Sequence, residues 1–426
     1  MKQAIVGGRV IDPGSGFDAL ADVFIDQGRI VAIGQAPEGF VAQSRFDASG
    51  LVVAPGLVDL CARMREPGSE GGLRGEMRAA MAGGVTAVVC PPDTDPPLDE
   101  PGLVRMLRQS SRQSQAARLY PLGALTAGLG GEKLAEMKTL HETGCVAFMQ
   151  TLALPRDNST LLEAMRYAKT FDLPLWLRPV EASLAGNGVA ASGAVAVRLG
   201  LPAVSVAAET VALHTIFELQ RLCPARVHLC RLSTAAGLAL VAQAKREGLP
   251  VSADVGIHHV HLTDADIGYF DAHFRLDPPL RSQRDRDAIR AALIDGTLDA
   301  ICSDHAPVNE DDKMLPFDEA TPGASGLQTL LPLALKWAKE SRLPLPRALA
   351  LLTSGPARVL AEDIGSLAVG AKADMVVFDP DAPWVVDARS LLGRGTGSPY
   401  RGLELEGRVL ATFVGGEQRF GLGPAV

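Results

Sequence analysis

The sequence has no basic run. Its 41 Lys and Arg are outweighed by 49 Asp and Glu, leaving a formal charge of −8, which argues against a nucleic-acid-binding surface. No apolar stretch reaches the length of a membrane span. The opening "MKQAIVGGRVIDPG" turns to Gly, Asp and Pro before a signal-peptide core could form. The six cysteines (61, 90, 145, 223, 230 and 302) are scattered, mostly in apolar surroundings, without the spacing of a disulfide framework. They read as reduced, packed thiols, and a cytoplasmic location is the expectation. No glycine fingerprint for a dinucleotide is present. The run Gly365 to Lys372 has phosphate-loop spacing but lacks the Gly-Lys-Ser/Thr ending and sits in hairpin-like sequence, so it reads as a turn.

What is present is a 426-residue chain, 47% hydrophobic and 21% charged, long enough for one large domain and a smaller one. Residues 1–53 hold short β-like runs broken by Gly, Asp and Pro, and a similar texture returns over 364–426. Two β-rich ends around a different middle point to one small β-sandwich domain built from both termini. The middle, 54–363, alternates eight strand candidates, near 56–63, 85–92, 118–125, 145–150, 174–180, 225–233, 250–259 and 299–307, with helical segments. The stretch "TAAGLALVAQAKREG" has helical periodicity, a basic last turn and a terminal Gly. Eight strand–helix units predict an α/β fold, a (β/α)8 TIM-like barrel; an open doubly wound sheet is the runner-up.

The segments "APGLVDL", "REPG", "GGVTAVVCPPDTDPPLDEPG", "LRSQRDRDAI", "SDHAP", "LPFDEA" and "GAKADMVVFDP" closely resemble the dihydroorotases of the amidohydrolase superfamily, in motif order and over essentially the whole chain. The resemblance implies a metal-dependent barrel that closes carbamoyl-aspartate to dihydroorotate in pyrimidine synthesis. It also implies metal ligands at the ends of barrel strands: an H-x-H pair, a lysine or aspartate, two histidines and an aspartate that doubles as general base.

At those positions this chain has Cys61, Arg63, Gln150 (within Met149-Gln150-Thr151), Arg178, Arg231 and Asp304. Asp304 alone keeps the expected type. At positions that would face substrate, Arg65 and His305 remain, while Asp93 and Asp277 replace asparagines and Val308 replaces a histidine. Zinc needs three or four N, S or O donors, and a protonated guanidinium has no acceptor to offer. The expectation is therefore no metal, no cofactor and no catalytic residue beyond a vestigial Asp304. The arginines must be matched by anions, with Asp304, Asp93, Asp277 and Glu181 as candidates.

Other groups have blander readings. Cys61 could be a thiolate nucleophile helped by Arg63 and Arg65, but no histidine can be placed beside it, and a packed thiol is preferred. His258, His259 and His261 form the one local H-x-H, with Asp264 as the sole nearby further donor. His228 reads as a buried, hydrogen-bonded residue, and "NEDDKMLPFDEA" (309–320) as a solvated loop over the barrel mouth.

The resemblance extends to family members that are inactive and serve as structural subunits of bacterial aspartate carbamoyltransferase complexes. The expectation is thus a chain that is not an enzyme, partnered with the catalytic chain of that carbamoyltransferase as a homodimer within a hetero-oligomer. Neither nucleic acid nor membrane is expected as a partner. Two alternatives stay open: a rewired, metal-independent cyclic-amide hydrolase, and a sensor that binds an anionic pyrimidine intermediate.

Overall fold

The computed structural model describes residues 2–64 and 72–421. Strands β1 (Gln3–Asp12), β2 (Phe17–Asp26), β3 (Arg29–Ile33), β4 (Ser44–Asp47) and β5 (Val52–Pro55) open the chain. Barrel strands β6 (Leu57–Asp59), β7 (Val85–Cys90), β8 (Arg118–Ala124), β9 (Ala147–Gln150) and β10 (Leu175–Leu177) follow. After a short two-stranded ladder, β11 (Ala190–Ala191) and β12 (Ala203–Val204), the barrel resumes with β13 (Val227–Leu229), β14 (Val251–Gly256) and β15 (Ala300–Cys302). The chain ends in β16 (Met375–Val385), β17 (Glu404–Val414) and β18 (Glu417–Gly421). All eight expected barrel strands are found, paired in parallel from β6 to β15 in chain order, β11 and β12 apart.

The seam between β6 and β15 is closed by side chains and loops. Buried Asp59 accepts from the backbone N–H of Ser303 at 2.8 Å and from its hydroxyl. Arg63 N–H donates to the His305 carbonyl at 2.8 Å, and His305 N–H to that of Cys61 at 3.2 Å. Residues just past each strand end thus meet at one point, which becomes the barrel mouth. Alternation along the strands sends Val58, Val89, Leu122, Met149 and Trp176 into the barrel interior. Phe148, Leu175 and Leu177 face the surrounding helices. The helical pattern after β13 forms over Ala235–Arg246, its N-terminus capped by the Thr234 hydroxyl accepting from Gly237 N–H at 3.0 Å.

The terminal strands join into a single eight-stranded sheet, β18-β17-β16-β5-β1-β2-β3 with β4 beside β1. Its far edge folds back, because Ile30 N–H reaches the Ala371 carbonyl at 3.0 Å and Phe46 packs edge-on to Phe413. The enclosed core contains Ile5, Val10, Val23, Ile25, Val53, Met375, Val377 and Phe413. Arg118 at the start of β8 grips Asp374 through two hydrogen bonds of 2.7 and 3.0 Å, fastening this sheet to the barrel. The six cysteines are all buried and unbridged. Among the described residues no helix is long and apolar enough to cross a membrane.

Several strands are shorter than expected, such as Val227–Leu229 within 225–233 and Ala300–Cys302 within 299–307, and one run changes element. The strand expected over 250–259 stops at Gly256, and Ile257–His261 form a short helix. Apolar alternation does not distinguish the two over so few residues.

Gly56 carries the chain from the small sheet into the barrel, and a Cβ there would lie 2.0 Å from the Thr86 hydroxyl oxygen. Gly56→Ala should destabilise the fold by about 1–3 kcal/mol through overpacking. Urea unfolding checks this, and an unchanged midpoint would mean that Thr86 rotates away at no cost.

Candidate functional site

The mouth lies at the C-terminal ends of the barrel strands, where loops bring polar side chains together. Its centre is an ion pair between Arg231, after β13, and Asp304, after β15, with Nη1 to Oδ1 at 3.0 Å. Both side chains are at least 95% buried. The same Nη1 donates to the Asp277 carbonyl at 3.0 Å. Arg231 and Asp304 both adopt left-handed backbone, with φ of 56° and 47°, a strained state for non-glycine residues that surrounding contacts must hold. For Arg231 that contact is its N–H bond to Asp254 Oδ1 at 2.6 Å. Asp254 also meets His228 Nε2 at 3.0 Å, and His228 Nδ1 meets the Ser252 hydroxyl at 2.8 Å. His228 is therefore a buried residue with both ring nitrogens engaged.

Two further pairs flank the centre. Arg63 donates from Nε and Nη2 to Asp93 Oδ2, at 3.0 and 2.9 Å, with Nη1 4.0 Å from Asp304. Arg178 grips Asp277 with both terminal nitrogens. Burial opposes charge on Asp277, but Arg178 more than reverses this and holds the carboxyl well below its usual range. Burial likewise opposes charge on Arg231, but the neighbouring groups, Asp304 foremost and Asp277 with it, together outweigh it and raise its pKa. The cavity over this array, about 310 Å³, is lined by Arg63, Asp93, Asp277, Asp304 and Val308 among others. A larger groove of about 1070 Å³ lies among residues that begin strands, such as Arg118, Val146 and Arg226, at the opposite end of the barrel.

Several expected positions land elsewhere. Gln150 does not face the mouth: its side chain turns outward, accepting from the Thr126 hydroxyl and donating to the Leu129 carbonyl, both at 2.9 Å. Strand parity is the reason, since Ala147 and Met149 point inward and Thr151 continues that series. The buried Thr151 hydroxyl has no hydrogen-bond partner among the described residues. Glu181 is not part of the arginine network, because it caps the helix Ala182–Ala185 through Ser183. Arg65 lies outside the described residues. The segment 309–320 is not wholly solvated: Lys313 is buried, and its Nζ donates to the Ala272 and Arg275 carbonyls at 3.0 and 3.1 Å. Burial lowers its pKa to about 8.

The remaining candidates have structural partners. Cys61 is buried with its sulfur 3.9 Å from Asp304 Oδ1, and no histidine is bonded to it among the described residues. His305 accepts from Gly326 N–H at Nδ1, so Nε2 carries the proton donated to Glu76, 3.0 Å away. His258 meets the Tyr400 hydroxyl at 3.4 Å, whereas His261 bonds the Leu333 carbonyl at 2.9 Å. The two rings serve different neighbours, and burial lowers both pKa values to about 4.

Sequence reasoning missed Asp59, Glu209, Arg275 and Arg281. Glu209 accepts from the backbone and hydroxyl groups of Ser233 and Thr234, at 2.5–3.0 Å, and so fixes the loop that follows Arg231. A lone acid inside a helical pattern gave no signal for this. Arg281 lies in the quoted "LRSQRDRDAI" segment and could have been found there. Burial is the main force on Asp59, raising its pKa to about 6.

The donor set was tested against a divalent metal. Among the described residues no three His, Cys, Asp or Glu side chains converge to hold one. Three of the expected ligand positions carry guanidinium groups, which have no lone pair to coordinate. The described residues do not fit a catalytic metal.

The Dihydro-orotase-like family model matches residues 50–236, and the Amidohydrolase family model residues 227–419. A "Dihydroorotase-like protein" of Pseudomonas putida is 44% identical over 418 residues, covering 98% of each chain. A "Dihydroorotase" of Anaeromyxobacter dehalogenans is 40% identical over 416 residues, covering 97% of this chain and 96% of its own. The solved L-hydantoinase of Arthrobacter aurescens superposes with a TM-score of 0.87 at 22% identity, covering 100% of this chain and 97% of its own. These relatives correct the expectation that the chain is not an enzyme. Full-length relatives at 38–40% identity carry the name of a hydrolase, so the family is enzymatic, and substitutions at ligand positions do not by themselves establish lost activity.

Two outcomes follow from the ion pairs. Arg231→Met leaves buried Asp304 with only the more distant Arg63 and should cost up to about 3–5 kcal/mol, while Arg231→Met with Asp304→Asn should recover most of that. Chemical denaturation of both variants checks it, and equal losses in the two would contradict the pairing. The second outcome concerns pH. The folded pKa of Asp277 lies below its unfolded value of about 3.9, so its contribution is complete above about pH 4 and is lost as pH falls. Asp59 acts oppositely: its raised pKa gives a contribution that is present in acid and lost as pH rises through about 6. Arg178→Met with Asp277→Asn should therefore lose less stability than the parent between pH 4 and pH 3. Because about a third of the Asp277 side chain is exposed, the difference will be modest. Parallel slopes would contradict the assignment.

Proposed function

The chain belongs to the dihydroorotase-like amidohydrolases, and from that premise we propose that it acts in cytoplasmic pyrimidine biosynthesis as a structural subunit of an aspartate carbamoyltransferase complex. The observation carrying this reading is the mouth itself. Arg231–Asp304, Arg63–Asp93 and Arg178–Asp277 pairs occupy the mouth, while the barrel and two-ended sheet are complete. A fold kept whole around a mouth rebuilt from ion pairs suits a role in assembly, which is independent of turnover. In closed mixed symmetry, dimers of this chain would bridge trimers of the carbamoyltransferase.

A second reading, cyclic-amide hydrolysis at the mouth, is favoured by the enzymatic family and by Asp304, which lines the 310 Å³ cavity from a left-handed backbone position. It requires turnover of dihydroorotate or carbamoyl-aspartate that Asp304→Asn abolishes.

Size-exclusion chromatography with light scattering tests the first reading, using this protein alone, the same organism's carbamoyltransferase alone, and the two mixed. The expected result is a stoichiometric complex larger than either component. Independent elution at micromolar concentrations would refute the assembly role, and Asp304-dependent turnover by the same preparation would establish the second reading.

A further inference from the structure

Beside the central ion pair lies a second cavity of about 220 Å³, adjoining the first at Leu152, Asp277 and Pro322 and lined by Arg178, Glu209, Arg231, Arg275 and Arg281 among others. Four guanidinium groups there face two carboxylates, and both carboxylates are already committed. Glu209 is saturated by Ser233 and Thr234, and Asp277 is gripped by Arg178. Asp304 is committed too, taking Arg231 Nη1, and Asp285 and Asp318 also act on Arg281 and Arg275.

The hydrogen-bond donors, however, are in excess. Arg178 Nε, Arg231 Nε and Nη2, and Arg275 Nε are buried and have no hydrogen-bond partner among the described residues. Arg178 and Arg231 are themselves 5% and 2% exposed. Burying guanidinium N–H groups without acceptors is costly. Burial also pulls the pKa of both Arg275 and Arg281 below the ordinary arginine value.

We infer that this cavity is a binding site for a compact anion carrying carboxylate or phosphate groups, held by the spare donors of Arg178, Arg231 and Arg275 with Arg281 completing the positive wall. The planar fork of arginine matches both groups in bidentate fashion. The cavity holds the volume of about seven waters, at roughly 30 Å³ each, and falls below the ~300–1,000 Å³ of drug-sized ligand sites. A compact anion matches this volume. The site stands apart from the assembly role and does not depend on it.

Isothermal titration of the full-length protein tests it, with malonate as the carboxylate probe and inorganic phosphate as the other, at constant ionic strength. Arg275→Gln and Arg281→Gln are the informative variants, since neither residue is the direct ion-pair partner of a carboxylate in the network, and circular dichroism verifies their folding. The expected result is saturable one-site heat with at least one probe, weakened about tenfold or more in one or both variants, as loss of a charge-assisted contact implies. Saturation by malonate alone assigns the carboxylate class, and by phosphate alone the phosphate class. No saturable heat with either probe, or unchanged affinity in both folded variants, would overturn the inference.

Discussion

The buried contact between Arg231 and Asp304 is the constraint on which the mouth depends. Each residue sits just past a barrel strand in left-handed backbone, and each is nearly inaccessible to water. Desolvating two charges is expensive, and their attraction compensates only when geometry and further hydrogen bonds are good. Here the further bonds exist: Arg231 also donates to the Asp277 carbonyl, and its backbone N–H is fixed by Asp254. Asp254 meets His228, which reaches Ser252. The pair is thus the upper end of a polar chain running down into an otherwise apolar barrel.

The other charges follow from this one. With the guanidinium of Arg231 on Asp304, Arg63 turns to Asp93 and Arg178 to Asp277, so each arginine has an acid within reach. The positive charge of the mouth comes from guanidinium groups, which have no lone pair to coordinate a metal. Fold and site chemistry are separable in this architecture. The barrel is held by the Asp59–Ser303 seam and the Arg118–Asp374 clasp, while the mouth is built from ion pairs. The family is enzymatic, and the ion pairs describe how this mouth is held, not whether it turns over a substrate.

The barrel was legible because each of its strands is a compact apolar run bounded by turn residues, and chain order alone then sets the neighbours. Arg63, Arg178, Arg231 and Asp304 were legible through the resemblance to the dihydroorotases, whose implied ligand positions fall just past such runs. What failed depended on parity or on distant partners. Gln150 and Thr151 are adjacent in sequence but face opposite sides, and no apolar pattern fixes which residue of a strand's last pair looks inward. Glu209 lies in a helix 22 residues before Arg231, and nothing in its surroundings announces that it will hold the Ser233–Thr234 loop. Lys313 sits in an acidic segment that reads as solvated, yet two carbonyls draw its ammonium inside.

The most direct test of the central claim, that guanidinium groups hold the mouth in place of metal ions, is the metal content of the purified chain. Protein produced in zinc-supplemented medium, dialysed without chelator and measured by inductively coupled plasma mass spectrometry, should contain far less than one transition-metal ion per chain. One or two firmly bound ions per chain, lost on Asp304→Asn, would contradict the account and restore a metal to the mouth.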